Sequence, residues 1–308
     1  MRIRATVAAV TGALALSALA VPAAQAADVS GADYREAVAK IRQAAHAPSG
    51  ATAFSTKAAQ DEPYALDASF SNFKIAKAVK VGTTGHYSTT VTYTLTHGAD
   101  VDVTAQDFLT GPYLYRGAFA TPDTTLFGVK PATCTTATAT TATCTGKIDI
   151  YPGEGDLLNS DSGTWKGAAL AIAYNGQDPA GENFDITKVG YADQGALGTT
   201  LVQRNSKLTV NAAPEPVQKG KTLTVTGKLT RANWETGKYA GYSTQPVVLQ
   251  FRKAGTTNYT NVKGIKTNTT GDLKTTVTAS VDGYYRFQFK GTPTTPAVTT
   301  AGDYVDVR

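Results

Sequence analysis

The chain is poor in the residues that most often carry catalysis and metal binding. Its 308 residues include only two cysteines, one methionine and three histidines, which are His46, His86 and His97. No histidine lies close enough in sequence to a cysteine to complete a zinc pattern. The G-x-S-x-G, H-E-x-x-H, P-loop and Rossmann motifs are absent, so the enzyme classes that these motifs mark are excluded. We therefore predict no catalytic residue, no metal site and no enzyme activity.

Long hydrophobic runs are also scarce, and the most apolar segment stands at the amino terminus. MRIRATVAAVTGALALSALAVPAAQA combines Arg2 and Arg4, an Ala/Leu/Val run broken by Thr and Ser, and an A-x-A site at 24–26. These are the three parts of a secretory signal peptide, and the run is too short for a membrane-spanning helix. We expect residues 1–26 to be removed on export. The mature, secreted protein then begins near Ala27 with neither lipid nor membrane anchor.

Export accounts for the two cysteines, Cys134 and Cys144, which bracket the segment TTATATTAT. An even number of cysteines in an exported chain is typical of disulfides. The two lie ten positions apart, too far for C-x-x-C redox chemistry. We predict a structural disulfide that closes an exposed hairpin or loop at its base.

The rest of the chain is long enough for about two domains. A proline-containing seam lies around residues 200–220, and the charge changes sign across it. Residues 27–203 carry 12 Lys and Arg against 18 Asp and Glu, a net charge of −6, whereas residues 204–308 carry 15 against 6, a net charge of +9. Such asymmetry favours head-to-tail association or attraction to anionic cell-surface polymers, or else it simply keeps both halves soluble. We predict an N-terminal segment at 27–65 and domains at 66–203 and 204–308.

The N-terminal segment has one helical pattern. Tyr34, Val38, Ile41 and Ala45 recur at helical spacing, and Pro48 then stops the pattern. Because the segment has mostly alanine to bury, we expect a short helix or a disordered stretch that frays or serves as a spacer.

Both predicted domains show the alternating pattern of β-strands. In DGYYRFQFK, Tyr285, Phe287 and Phe289 share one side, while Tyr284 and Arg286 share the other with Gln288. KTLTVTGKLT and PVVLQFRK alternate in the same way, and YSTTVTYTLT and GTWKGAALAIAY extend the pattern to the first domain. Short strands separated by turn residues are typical of β-sandwiches. We predict an all-β protein with two immunoglobulin-like β-sandwich domains in tandem.

The C-terminal strands also carry a family resemblance. NAAPEPVQKGKTLTVTGKLTRANWETGKYAGYSTQPVVLQFRKAG and LKTTVTASVDGYYRFQFKGTPTTPAVTTAGDYVDVR resemble the C-terminal immunoglobulin-like domain of secreted proteins from Streptomyces and related actinobacteria. Residues 65–203 resemble the domain that precedes it in many such proteins. Members are mostly uncharacterised, and some carry an automatic calcium-binding name. The resemblance implies a fold and an extracellular location, but no mechanism.

We expect no cofactor, but two acidic stretches leave a calcium-binding site as the alternative. Calcium requires six to eight oxygen ligands brought together by a loop. The stretches HGADVDVTAQDF and DLLNSDSG offer these candidates: Asp100, Asp102, Asp107, Asp156, Asn159 and Asp161.

The connection RANWETGKYAGYSTQP combines aromatic and cationic side chains in one predicted loop. Its candidate binding residues are Arg231, Trp234, Lys238, Tyr239 and Tyr242. Aromatic rings stack on sugar rings, and neighbouring cations hold anionic polymers. The alternative is that the aromatic side chains fold inward and cap the core.

We therefore predict a secreted, non-catalytic binding or adhesive protein that acts at the cell surface or on another extracellular protein. Its partner would be a cell-wall polymer or a secreted protein. A structural spacer, a matrix component or a calcium-binding extracellular protein are the alternatives. Nucleic acid is excluded as a partner, because the positive charge is dispersed and no reader motif is present.

Overall fold

The computed structural model describes residues 31–46 and 62–308. The predicted signal peptide at 1–26 lies outside the described residues, as do residues 47–61 of the N-terminal segment. In the part of the chain that is described, no helix is long and apolar enough to cross a bilayer.

The first domain combines one helix with ten strands in the described residues. These are, in chain order, α1 (Gly31–Ala45), β1 (Tyr64–Ala65), β2 (Ala68–Ile75), β3 (Ala78–Val81), β4 (Tyr87–His97), β5 (Phe108–Gly117), β6 (Pro122–Phe127), β7 (Thr133–Thr138), β8 (Thr141–Ile150), β9 (Gly163–Ala173) and β10 (Gly190–Arg204), with short 3-10 turns at Pro152–Glu154, Asn159–Asp161 and Ile186–Lys188.

The ten strands form two sheets that pack face to face. The larger sheet has the order β1-β10-β9-β5-β6, with β3 also paired to β10, and the smaller sheet has the order β2-β4-β8-β7. In β4, Val91, Tyr93 and Leu95 are buried between the sheets, and the intervening threonines face outward. The period of two in YSTTVTYTLT therefore places one side of the strand in the core.

Strand β9 is buried on both of its faces. Trp165 and Ala169 belong to the core between the two sheets, whereas Leu170 and Ile172 belong to a second cluster on the outer side of the larger sheet. A central strand that is covered on both sides reads as a nearly continuous apolar run, as GAALAIA does.

Helix α1 covers that outer side. Tyr34, Val38 and Ile41 are at most 2 % exposed and pack against Leu170 and Ile172. The predicted helical spacing is confirmed, but the expectation that the segment frays or acts as a spacer is wrong for residues 31–45. The sheet supplies the apolar surface that the alanine-rich segment lacks by itself.

A buried polar cluster also holds α1 in place. The Asp193 carboxylate, 3 % exposed, accepts hydrogen bonds from the Tyr113 hydroxyl at 2.7 Å and the Tyr191 hydroxyl at 2.9 Å. Arg42 Nε of α1 and Nε2 of His46, the residue after the helix, each lie 3.3 Å from Asp193 Oδ2. Burial, and then repulsion by the Asp193 charge, raises the pKa of both tyrosines. One carboxylate thus links two strands to α1.

The second domain is a β-sandwich of ten strands. They are β11 (Ser206–Leu208), β12 (Asn211–Ala213), β13 (Thr222–Asn233), β14 (Lys238–Gly241), β15 (Pro246–Lys253), β16 (Thr260–Lys266), β17 (Asp272–Thr278), β18 (Gly283–Phe289), β19 (Val298–Thr299) and β20 (Asp303–Val305). One sheet pairs β11, β12, β14 and β17 with β13, and the other contains β16, β15, β18, β19 and β20.

The core of the second domain follows the predicted alternation. Tyr285, Phe287 and Phe289 are at most 6 % exposed, and they pack with Leu223 and Leu249 between the two sheets. The predicted fold class, two immunoglobulin-like β-sandwiches in an all-β chain, is confirmed.

Candidate binding surface

The predicted binding loop is a hairpin at the junction between the two domains. Strands β13 and β14 pair from Thr230↔Gly241 to Asn233↔Lys238, so Trp234 begins the turn between them. The Trp234 side chain is only 4 % exposed and belongs to the core cluster of the first domain. Its Nε1 donates a hydrogen bond of 3.4 Å to the carbonyl oxygen of Val81, at the end of β3. The turn therefore inserts into the neighbouring domain.

Polar contacts surround the inserted tryptophan. Arg204, at the end of β10, donates from Nε to the carbonyl oxygen of Ala232 at 2.6 Å. Asn159 donates from its side-chain amide to Asn233 Oδ1 at 2.8 Å and to Glu235 Oε2 at 2.7 Å. Burial lowers the pKa of Arg204 to about 10, and the neighbouring charge of Arg231 adds to this effect. The junction is a packed interface rather than a free linker.

Other loop residues are engaged within the chain as well. The Lys207 ammonium lies 4.0 Å from the centre of the Tyr239 ring, and the Arg231 guanidinium lies 3.9 Å from that of Tyr242. Tyr242 also packs edge-on against Phe289, with ring centres 5.9 Å apart.

These contacts correct the prediction of a ligand-binding loop at residues 231–246. Of the five candidates, Lys238 is exposed, whereas Trp234 is buried by the chain itself and has no free face for a sugar ring. The inward-folding alternative describes the loop better, with the difference that Trp234 enters the core of the other domain. From the sequence, the β13–β14 hairpin is expected to pack within its own domain. No pattern in the neighbouring residues indicates that it contacts the other domain.

A second aromatic and cationic surface lies on the outer side of the sheet around β18. Tyr284 pairs directly with Arg252 of β15 on one side and with Tyr304 of β20 on the other. These side chains point away from the core because the alternate residues Tyr285 and Phe251 point toward it. Tyr304 is 40 % exposed.

Cations and rings alternate along this surface. The Arg252 guanidinium lies 4.0 Å from the centre of the Tyr284 ring and 5.3 Å from that of Tyr259. The Arg286 guanidinium lies 3.7 Å from the centre of the Tyr259 ring, and the Tyr284 and Tyr304 rings are 5.1 Å apart. We call these five residues the Tyr–Arg face.

Amide side chains form a row beside the Tyr–Arg face. Gln250 pairs in register with Arg286 on one side and with Asn261 on the other. Its Oε1 accepts a hydrogen bond of 2.8 Å from Arg286 Nε, and its Nε2 donates one of 2.8 Å to Asn261 Oδ1. The amides therefore fix the orientation of the Arg286 guanidinium.

Neither arginine of the Tyr–Arg face is neutralised. Among the described residues, no carboxylate lies within ion-pair distance of Arg252 or Arg286. The hydroxyl of Tyr259 holds the pKa of Arg252 above its ordinary value. Partial desolvation, and then the carboxylates of Asp282 and Asp306, raises the pKa of Tyr304. The face thus presents two fixed cations with an acidic border at one end.

Two of the three histidines pair with buried carboxylates. His46 contacts Asp193 under α1, as described above. His86 Nε2 lies 2.7 Å from Asp149 Oδ1, and the His86 ring stacks on Tyr151 with centres 4.6 Å apart. His97 Nδ1 contacts the carbonyl oxygen of Gly98 at 2.9 Å. The three histidines lie in separate parts of the first domain.

The acidic stretches have different environments. Asp100, Asp102 and Asp107 line a cleft of about 230 Å³ together with Asp67. Asp102 Oδ1 accepts hydrogen bonds from the backbone and hydroxyl of Thr104, which lower its pKa. In the described part of the chain, no group of three or more His, Cys, Asp or Glu side chains has a metal-binding arrangement.

The second stretch supports local structure. Asp156 Oδ2 accepts a hydrogen bond of 2.7 Å from the backbone of Tyr151, and Asp161 Oδ2 accepts one of 2.7 Å from Leu158. Asn159 lies at the domain junction. In the described structure, the acidic side chains of this stretch therefore do not form a set of calcium ligands.

The predicted disulfide is present. Cys134 and Cys144 lie directly opposite each other on β7 and β8, and their bond joins the two strands of an exposed hairpin. Residues 135–140 are all exposed, whereas Cys144 is fully buried. The disulfide thus ties the exposed β7 to a strand of the core.

Replacing both cysteines with alanine is expected to lower the free energy of unfolding by about 2–3 kcal/mol, because the unfolded chain regains the entropy of an open ten-residue loop. Urea unfolding of the Cys134→Ala/Cys144→Ala variant measures this loss. Thr136→Ala on the exposed β7 is the control and should leave stability within about 0.5 kcal/mol of the parent. An unchanged double variant would show that the hairpin is held by its strands alone.

Comparisons with known proteins do not yield a family. No family model matches the chain, and no curated protein matches it significantly. Solved structures that resemble it include dimeric latent PorU from Porphyromonas gingivalis, with a TM-score of 0.25 and 11 % identity over 78 % of this chain and 20 % of that one.

Two further structures have similar scores. A mutated three-domain immunoglobulin fragment of titin has a TM-score of 0.30 and 11 % identity over 79 % of this chain and 66 % of that one. Fibronectin(III)-like modules of CbhA from Clostridium thermocellum have a TM-score of 0.25 and 10 % identity, with coverages of 76 % and 92 %. The chain thus spans a fifth of the length of PorU, 66 % of that of the titin fragment and 92 % of that of the CbhA modules. At these TM-scores, the fold assignment rests on the strand order and cores of this chain.

Proposed function

We propose that the protein is a secreted, non-catalytic binding protein that attaches to polymers at the cell surface through the Tyr–Arg face. The main support for this proposal is that two guanidinium groups are fixed over tyrosine rings on an outer sheet face, without a carboxylate partner. Ordered aromatic and cationic side chains at a surface suit ligand binding, because little conformational entropy remains to be lost. The signal-peptide pattern and the disulfide support secretion.

The binding experiment uses the full mature chain. It is mixed with purified bacterial cell walls, and the fraction removed from solution by centrifugation is measured. We expect saturable binding that falls at least about fivefold in the Tyr284→Ala/Tyr304→Ala variant, because the rings orient the cations and contact the polymer. The matched control is Tyr64→Ala, which removes an exposed tyrosine from the first domain.

Two results would contradict the proposal. One is the absence of saturable binding by the folded parent, and the other is equal loss in the double variant and in the control. Near-ultraviolet circular dichroism shows whether each variant retains its fold. Release of soluble fragments from the walls would contradict the non-catalytic part.

The domain junction favours a structural spacer as a second candidate. The burial of Trp234 and the hydrogen bond from Arg204 to Ala232 hold the two sandwiches against each other. A spacer or matrix component would self-associate through its oppositely charged halves. Sedimentation velocity at low and high salt tests this, since salt-sensitive self-association without saturable polymer binding would favour the spacer.

A further inference from the structure

The Tyr–Arg face has the chemistry to select among polymers. Building on the proposed function, we propose that its ligand is an anionic polysaccharide that lies across the strands. Its charged groups, carboxylate or phosphate, would bind Arg252 and Arg286, and its sugar units would contact the tyrosines.

The geometry of the sheet sets the direction of the ligand. Tyr304, Tyr284 and Arg252 occupy paired positions on three neighbouring strands. Such positions repeat at about 4.8 Å across a sheet, a step comparable with the length of one pyranose unit. The row of Arg286, Gln250 and Asn261 lies two residues further along the strands, or about 7 Å away. Gln250 is buried and bonded to both of its neighbours in this row, so the exposed Asn261 supplies the amide for the hydroxyls of an extended polymer over the first row.

The two arginines give the face a positive charge, which favours anionic ligands. A guanidinium presents its N–H groups in a planar fork that matches a carboxylate or phosphate. The Tyr284 ring holds Arg252, and the Tyr259 ring and Gln250 hold Arg286, so both forks are oriented before a ligand arrives. The net charge of +9 in residues 204–308 adds long-range attraction for a polyanion.

The composition of the face favours a polysaccharide over a protein. Tyrosine and arginine are both common in protein–protein interfaces, but the core of such an interface is largely apolar. On the Tyr–Arg face, by contrast, Tyr304 is the exposed large hydrophobic residue, and the remaining groups include the guanidiniums of Arg252 and Arg286 and the amide of Asn261. These groups donate hydrogen bonds to hydroxyl and acid oxygens, which polysaccharides supply at every unit.

The test uses the full mature chain and three soluble probes. Polygalacturonate carries carboxylates on a sugar backbone, its methyl-esterified form keeps that backbone without the charge, and phosphorylated dextran carries phosphates on a sugar backbone. Affinity electrophoresis or calorimetry gives the dissociation constants. We expect at least one anionic probe to bind about tenfold or more tightly than the methyl ester. The two anionic arms show which acid group the face prefers.

Matched variants separate the site from general charge attraction. Arg252→Gln/Arg286→Gln removes two cations from the face, and Lys221→Gln/Lys274→Gln removes two exposed cations from the side of the other sheet. We expect the arginine variant to lose at least about tenfold in affinity and the lysine variant less than about threefold. Equal losses in the two variants would overturn the proposal.

The failure of this inference differs from the failure of the proposed function. If the chain binds cell walls through its tyrosines but binds the methyl ester as tightly as both anionic probes, the anionic class is wrong and the binding function stands. If neither cell walls nor any probe binds saturably, both are wrong.

Discussion

Trp234→Ala is expected to lower the free energy of unfolding by about 3–5 kcal/mol, which is the usual cost of truncating a buried tryptophan. The ring is 4 % exposed and lies in the core of the first domain, although it belongs to a strand hairpin of the second. Its removal leaves a cavity at the junction and deletes the hydrogen bond to Val81. The loss should therefore affect the coupling of the two domains as well as their stability.

Differential scanning calorimetry checks both effects. We expect one cooperative transition for the parent and two separated transitions for the variant, because each domain has its own core. Lys238→Ala, on the same hairpin but exposed, is the control and should stay within about 0.5 kcal/mol of the parent. A Trp234→Ala variant as stable as this control would contradict the buried junction. Retained cell-wall binding by Trp234→Ala, despite its lower stability, would separate the junction from the binding surface.

Asp193→Ala is expected to lower the free energy of unfolding by about 3–5 kcal/mol, because it removes one partner of a buried ion pair. Arg42 would stay largely buried without its counter-charge, and the hydroxyls of Tyr113 and Tyr191 would lose their acceptor. Since this carboxylate links α1 to the larger sheet, the helix should detach before the sandwich unfolds.

Hydrogen exchange of the α1 amides, together with urea unfolding, checks this prediction. We expect faster exchange in α1 than in β9 for the variant. Asp193→Asn keeps an acceptor oxygen and should lose less stability than Asp193→Ala. Asp100→Ala removes an exposed carboxylate and serves as the control. A variant whose helix remains as protected as that of the parent would show that apolar packing alone holds α1.

Local patterns determined much of the fold. The alternation in DGYYRFQFK places Tyr285 in the core and Tyr284 outside, because successive side chains of a strand point to opposite faces. The helical spacing of Tyr34, Val38 and Ile41 identified α1. The two cysteines indicated the hairpin that their disulfide closes. Each of these inferences depends on residues close together in the chain.

The candidate site needed contacts between distant residues. Arg252, Tyr259, Tyr284 and Tyr304 meet only because β15, β18 and β20 pair in one register. The alternating pattern predicts which residues of β18 face outward, but it does not show which strands lie beside β18. The predicted binding site was therefore the loop around Trp234, where aromatic and cationic residues are adjacent in sequence.

The amino-acid sequence by itself determined which side chains are buried, because the alternating and helical patterns fix the apolar faces of the strands and the helix. Tertiary structure alone decided what covers those faces. Thus α1 lies on the larger sheet, where the hydroxyl of Tyr34 occupies the space that a side chain at Gly111 would need, and Trp234 lies in the neighbouring domain. The physical reason is that burial of apolar surface is non-directional, so a pattern specifies that a face is buried, while shape and register select its partner.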